Sequence, residues 1–132
     1  MEEAVDDLIA FLAARLDEDE QWAREATDGP WVDEFSGETG HCVIPSDAMS
    51  TREYVARTQL LAALPDARHI ARHDPARVLR EVEAKRRILA ECRPGHLGGP
   101  ALELAGALGG LVLCFLALPY ADHEDYREEW KP

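Results

Sequence analysis

Apolar residues recur at steps of three and four through the first segment. Val5, Leu8, Ile9, Leu12 and Leu16 fall on one side of a helix, while Asp6, Asp7, Ala13 and Asp17 fall elsewhere. The early acids Glu2, Glu3, Asp6 and Asp7 suit the positive end of the helix dipole. The acidic run 17–20 can carry the helix on through Trp22 and Ala26, until Asp28-Gly29-Pro30 ends it. Beyond this the pattern shortens. Residues 31–35 and 41–44 are extended candidates on either side of the turn-rich joint 36–40, which predicts a β-hairpin. A lone hairpin is marginal in water, so it must lie on the helices.

Ser50-Thr51-Arg52-Glu53 fits a capping box. The helix it predicts carries Tyr54, Val55, Leu60, Leu61 and Leu64 and closes at Pro65. A short helix is expected over 66–73. Asp74-Pro75 then restarts the chain, with aspartate as N-cap and proline tolerated at the first helical position. The helix over 75–92 has an apolar stripe of Val78, Leu79, Val82 and Leu89 with Ile88 beside it. Glu81 and Lys85, and Glu83 and Arg87, are spaced for ion pairs along its surface, and Pro94-Gly95 stops it.

Residues 104–121 carry no charge. The run is long enough to overlap the threshold of a membrane span, and Gly106 and Gly110 match the small-residue spacing of paired membrane helices. Three glycines and Pro119 interrupt it, however, and its strongest apolar part is only 111–118. A helix buried on all sides within the fold explains the run without a membrane. The polar tail 122–130 holds two aromatics, Tyr126 and Trp130, able to clamp it to the core. The expected fold is mainly α (α+β): a small helical domain with one short β-hairpin and a buried C-terminal apolar helix, all 132 residues forming a single domain.

Charge adds an asymmetry. The formal net charge is −12, from 26 acidic and 14 basic side chains. Residues 1–66 hold 16 acidic and 4 basic, 67–100 hold 4 acidic and 8 basic, and 101–132 hold 6 acidic and 2 basic. This balance argues against binding nucleic acid by neutralising phosphates. It also suggests that the basic middle sits against the acidic ends. The acidic N-terminus lacks the basic start and long apolar stretch of a secretory signal. Three widely spaced cysteines, Cys42, Cys92 and Cys114, do not form a disulfide framework, so a cytoplasmic setting is expected.

Three blocks carry a resemblance: DLIAFLAARLDEDEQWA (7–23), HIARHDPARVLREVEAKRRILAEC (69–92) and LALPYADHEDYREEW (116–130). In this order they resemble an uncharacterised family of small proteins from actinobacteria and their phages. The resemblance supplies no activity and no catalytic residues that transfer to this chain. It implies a Cys/His-containing connector before the final block, and here that connector is rich in glycine and leucine, with only Cys92, His96 and Cys114.

Two constellations could hold a metal. Cys92, His96, Cys114 and His123 supply the thiolates and imidazoles that a structural zinc site takes, against the plainer reading of a buried cysteine with solvent-facing histidines. His69 and His73 share a helix face, but Ile70 stands where a zinc protease helix needs its glutamate, which excludes that activity. Arg68, His69, Arg72, His73, Arg77 and Arg80 form a basic patch, a candidate for binding a partner, which an internal role facing residues 17–20 would also explain. No nucleophile elbow, phosphate loop or dinucleotide fingerprint is present. The reading is therefore a small non-catalytic interaction or accessory protein that chooses a protein partner by its acidic surface and basic patch, with self-association open to it. The alternatives are a structural-metal module, which would bind zinc, and an acidic nucleic-acid mimic acting on a DNA-binding protein.

Overall fold

The computed structural model describes residues 2–36, 40–45, 54–58, 63–93 and 101–132. Four α-helices, α1 (Glu2–Glu25), α2 (Ala63–Arg72), α3 (Pro75–Glu91) and α4 (Ala101–Ala117), accompany three strands, β1 (Trp31–Ser36), β2 (Gly40–Pro45) and β3 (Ala56–Arg57). The fold is mainly α with a small antiparallel sheet of order β1-β2-β3. The chain forms two compact units, one of residues 19–81 and one of residues 1–18 with 82–132.

In the unit of residues 19–81, β1 and β2 make the expected hairpin, with Trp31 opposite Pro45 and Ser36 opposite Gly40. The third strand corrects the sequence reading, which placed a helix over these residues. Cys42 pairs with Arg57 and Val43 with Ala56. The Val55 amide donates to the Val43 carbonyl at 2.8 Å, and both the Thr58 amide and its hydroxyl donate to the His41 carbonyl. Two β-branched residues within four positions suit a strand better than a helix. The capping box 50–53, with Leu60 and Leu61, lies outside the described residues. Pro65 does not close a helix either. It is the third residue of α2, within the first turn, where a missing N–H costs no hydrogen bond. α2 packs on β1 and β2. Val43, Ala67 and Ala71 form the buried centre, with Trp31, Val55, Ala56 and Ile70 around it.

In the other unit the apolar stripe of α1 is buried as its spacing predicts, at Leu8, Ile9, Leu12 and Leu16. Phe11 and Arg15 widen that stripe and are buried too. Val82 and Leu89 of α3 and Leu113 and Ala117 of α4 complete the buried apolar set with Trp130. α4 forms where the uncharged run predicts it, but it is not buried on all sides. Gly109, Leu113 and Ala117 face inward. Leu108, Leu111, Val112, Phe115 and Leu118 are exposed. The three buried positions recur at steps of four, which is one side of a helix, and nothing among the described residues covers the other side. No helix among the described residues is long and apolar enough to cross a membrane.

Candidate functional site

The residues singled out by sequence do not converge on one centre. Of the four proposed zinc ligands, His96 lies outside the described residues. Cys92, the residue after α3, lies beside Gly109 of α4, where a glycine Cβ would stand 3.6 Å from its Sγ. Burial, and then the carboxylate of Glu91, push the Cys92 thiol above its ordinary value. Cys114 is half-buried on α4. His123 has other partners: its Nδ1 accepts from the Asp125 amide at 3.0 Å and stands 2.8 Å from Arg15 Nη1, which also meets Nε2. Among the described residues no three His, Cys, Asp or Glu side chains gather as metal ligands.

His69 and His73 do share a face, their rings 4.4 Å apart, and His73 Nδ1 donates to the His69 carbonyl at 2.7 Å. The arginines around them point to separate tasks. Arg68 faces Asp33 at 3.7 Å. Arg77 pairs with Glu81 at 2.9 Å and donates to the Arg72 carbonyl. Arg72 and Arg80 are exposed. The expected meeting of basic middle and acidic start occurs at Arg86, 2.8 Å from Asp17.

Two features stand out from this surface. One is the open side of α4, with four large apolar side chains exposed and a fifth, Leu118, on the 3-10 turn that follows, and no charge from Leu104 to Ala121. The other is an aromatic cluster centred on Phe11. Its ring lies 6.4 Å from Tyr120, 5.6 Å from His123, 6.2 Å from Tyr126 and 5.0 Å from Trp130, and the Arg15 guanidinium lies 5.3 Å from the same centre. The tail therefore clamps to α1 through Tyr126 and Trp130, as its two aromatics suggest. Arg127 fixes the same tail from outside, 3.0 Å from Asp7. The role of Arg15 was missed in the sequence, although its place beside Leu16 and four residues after Phe11, on the buried side of an otherwise regular stripe, was the available signal.

This mainly helical architecture, with a one-sided apolar helix and an arginine–aromatic cluster, defines a class of small α+β protein without an assigned chemistry. The chain belongs to a family of unknown function, DUF6221, which it matches over residues 5–132. No curated protein and no solved structure matches it.

Proposed function

We propose that this protein is a non-catalytic accessory protein that works by pairing through the open side of α4, in the first instance with a second copy of itself. The observation that carries this reading is the exposure of Leu108, Leu111 and Phe115 of α4, at steps of three and four, with Val112 beside them and Leu118 just past the helix end. That spacing is the seam of a two-stranded helical contact. Five roughly half-exposed large side chains present on the order of 400 Å² of apolar surface, as large as the biggest patch on an ordinary monomer. A second copy offers the same seam, and a twofold axis makes it complementary to itself. No charge on residues 104–121 opposes the approach.

Two such faces bury about 800 Å², short of the ~1,200 Å² of a stable complex, so the pairing is weak and reversible. The net charge of −12 on each copy opposes it at long range, and salt screens that repulsion. The choice of any further partner falls to the charged surface, including Arg68, His69, Arg72, His73, Arg77 and Arg80, since such groups set specificity more than strength.

Sedimentation velocity over micromolar to millimolar protein tests the reading. The weight-average mass is expected to rise with concentration and with added salt. The double variant Leu111→Glu, Phe115→Glu is expected to stay monomeric with an unchanged circular dichroism spectrum. A wild-type monomer at every concentration and salt level ends the proposal.

A further inference from the structure

A pocket of about 270 Å³ lies within the unit of residues 19–81. Trp22 from the last turn of α1 and Trp31 from the start of β1 line it, together with Pro75 and Val78 of α3. Trp22 is 68% exposed, more than any other large apolar side chain among the described residues. An indole held in water on the wall of a concavity gains on being covered. The Trp31 indole N–H already donates to the Thr27 carbonyl at 2.9 Å, so this ring offers a ligand its π surface and no hydrogen bond.

The polar part of the lining decides the charge of the ligand. It consists of Asp19 and His73, with no lysine or arginine among the described residues. His73 Nδ1 donates to the His69 carbonyl at 2.7 Å, which in the neutral ring leaves Nε2 as an acceptor. Trp22 also stands at the C-terminal turn of α1, the negative end of the helix dipole. Arg24 in that turn is paired with Glu20 at 2.9 Å, and the positive end of α3 is met by Asp74, which accepts the Arg77 amide. An anion is therefore repelled by Asp19 with no cation in the lining to hold it. A neutral apolar molecule takes water from the Asp19 carboxylate and returns nothing, which is costly. A cation clothed in methyl groups packs on Pro75 and Val78, while its charge is attracted by the indole faces and by Asp19.

We propose that this pocket binds a small quaternary ammonium compound, its trimethylammonium group lodged against Trp22 and Trp31 beside Asp19. The volume is just below that of ordinary drug-sized sites, which suits a group of this size.

Titration of the full chain with choline chloride at constant ionic strength, followed by the indole N–H resonances, tests the proposal. It is run at about pH 8, where an ordinary histidine is neutral. Choline is expected to saturate the site and to shift the Trp22 and Trp31 signals, leaving that of Trp130 in place. The neutral isostere of choline, with a tert-butyl group for the trimethylammonium, is expected to bind at least about tenfold more weakly. Trp22→Ala is expected to weaken choline about tenfold. The exposure of Trp22 lets that variant keep its fold, which an unchanged circular dichroism spectrum checks. Asp19→Asn is expected to weaken choline several-fold. Phosphatidylcholine vesicles identify the source of the group. Co-sedimentation that free choline suppresses assigns a lipid headgroup, and saturation by choline without co-sedimentation assigns a free molecule; either result supports the site. No saturable shift, equal binding of choline and its isostere, a shift confined to Trp130, or wild-type affinity in Trp22→Ala or Asp19→Asn would overturn the proposal.

Discussion

The Asp74 carboxylate ties the backbone of Trp31 to the start of α3. One oxygen accepts the Trp31 amide at 3.2 Å, and the other accepts the Arg77 amide at 2.9 Å, which is the bond of a helix N-cap. Asp74 is buried, and a Cβ on Gly29 would stand 3.2 Å from its carboxylate, so the glycine leaves it room. Asp74→Ala removes both bonds. The cap contributes about 1 kcal/mol and the second amide about as much, so a loss of about 2 kcal/mol is expected in urea unfolding. Asp74→Asn keeps one acceptor oxygen and is expected to lose about half of that.

The one-sided burial of α4 predicts opposite outcomes for two leucines two positions apart. Leu113 is fully buried and Leu111 is nearly half exposed. Leu113→Ala is expected to destabilise by about 2–5 kcal/mol, through lost burial and the cavity left behind. Leu111→Ala is expected to stay within about 0.5 kcal/mol in dilute protein. Equal losses in thermal unfolding would mean that both sides of α4 are packed.

Local signals carried most of the fold, and they failed where a contact distant in sequence decided the outcome. Residues 2–25 and 75–91 announced themselves by periodicity, and Asp74-Pro75 by its cap chemistry. The hairpin was legible because turn residues separated two short extended runs. β3 was not: Val55 and Thr58 are as compatible with a helix as with a strand until β2 offers the Val43 and His41 carbonyls. The uncharged run gave the position of α4 but not which side of it would be covered, because a helix apolar all round carries no such mark. The candidate site was half legible. Tyr126 and Trp130 stood out as aromatics in a polar tail, whereas Arg15 looked like one more surface charge until Phe11 and His123 closed around it.

Glycines inside α4 leave room for stabilisation. A Cβ at Gly110 meets nothing within 4 Å, and one at Gly109 makes only ordinary contact with Cys92. Alanine is better than glycine in a helix interior by about 1 kcal/mol, so Gly110→Ala is expected to raise stability by about that amount. Gly109→Ala is expected to gain somewhat less, because its methyl must share space with the Cys92 side chain. Denaturant midpoints with an unchanged slope are the check.

Cys42 gives the stability of the fold a dependence on alkaline pH. It is buried, and its Sγ lies 3.4 Å from the Glu34 carbonyl, to which the thiol donates. Burial is the main cause that pushes the thiol above its ordinary value of 9.0; Glu34 adds to the shift and Arg57 partly offsets it. A thiol that holds its proton more tightly when folded leaves stability intact below the unfolded value. Stability then falls as pH rises from there through the folded value, because the unfolded chain ionises first. Burial and Glu91 shift Cys92 in the same direction. Urea unfolding is therefore expected to show a plateau near neutral pH and a decline from about pH 9 upward. Cys42→Ala should make that decline shallower, leaving the part due to Cys92, although it starts from a lower plateau. Iodoacetamide near neutral pH should leave Cys42 unlabelled in the folded protein and label it in urea. Rapid labelling of Cys42 in the folded protein would mean that the β2–β3 edge opens freely.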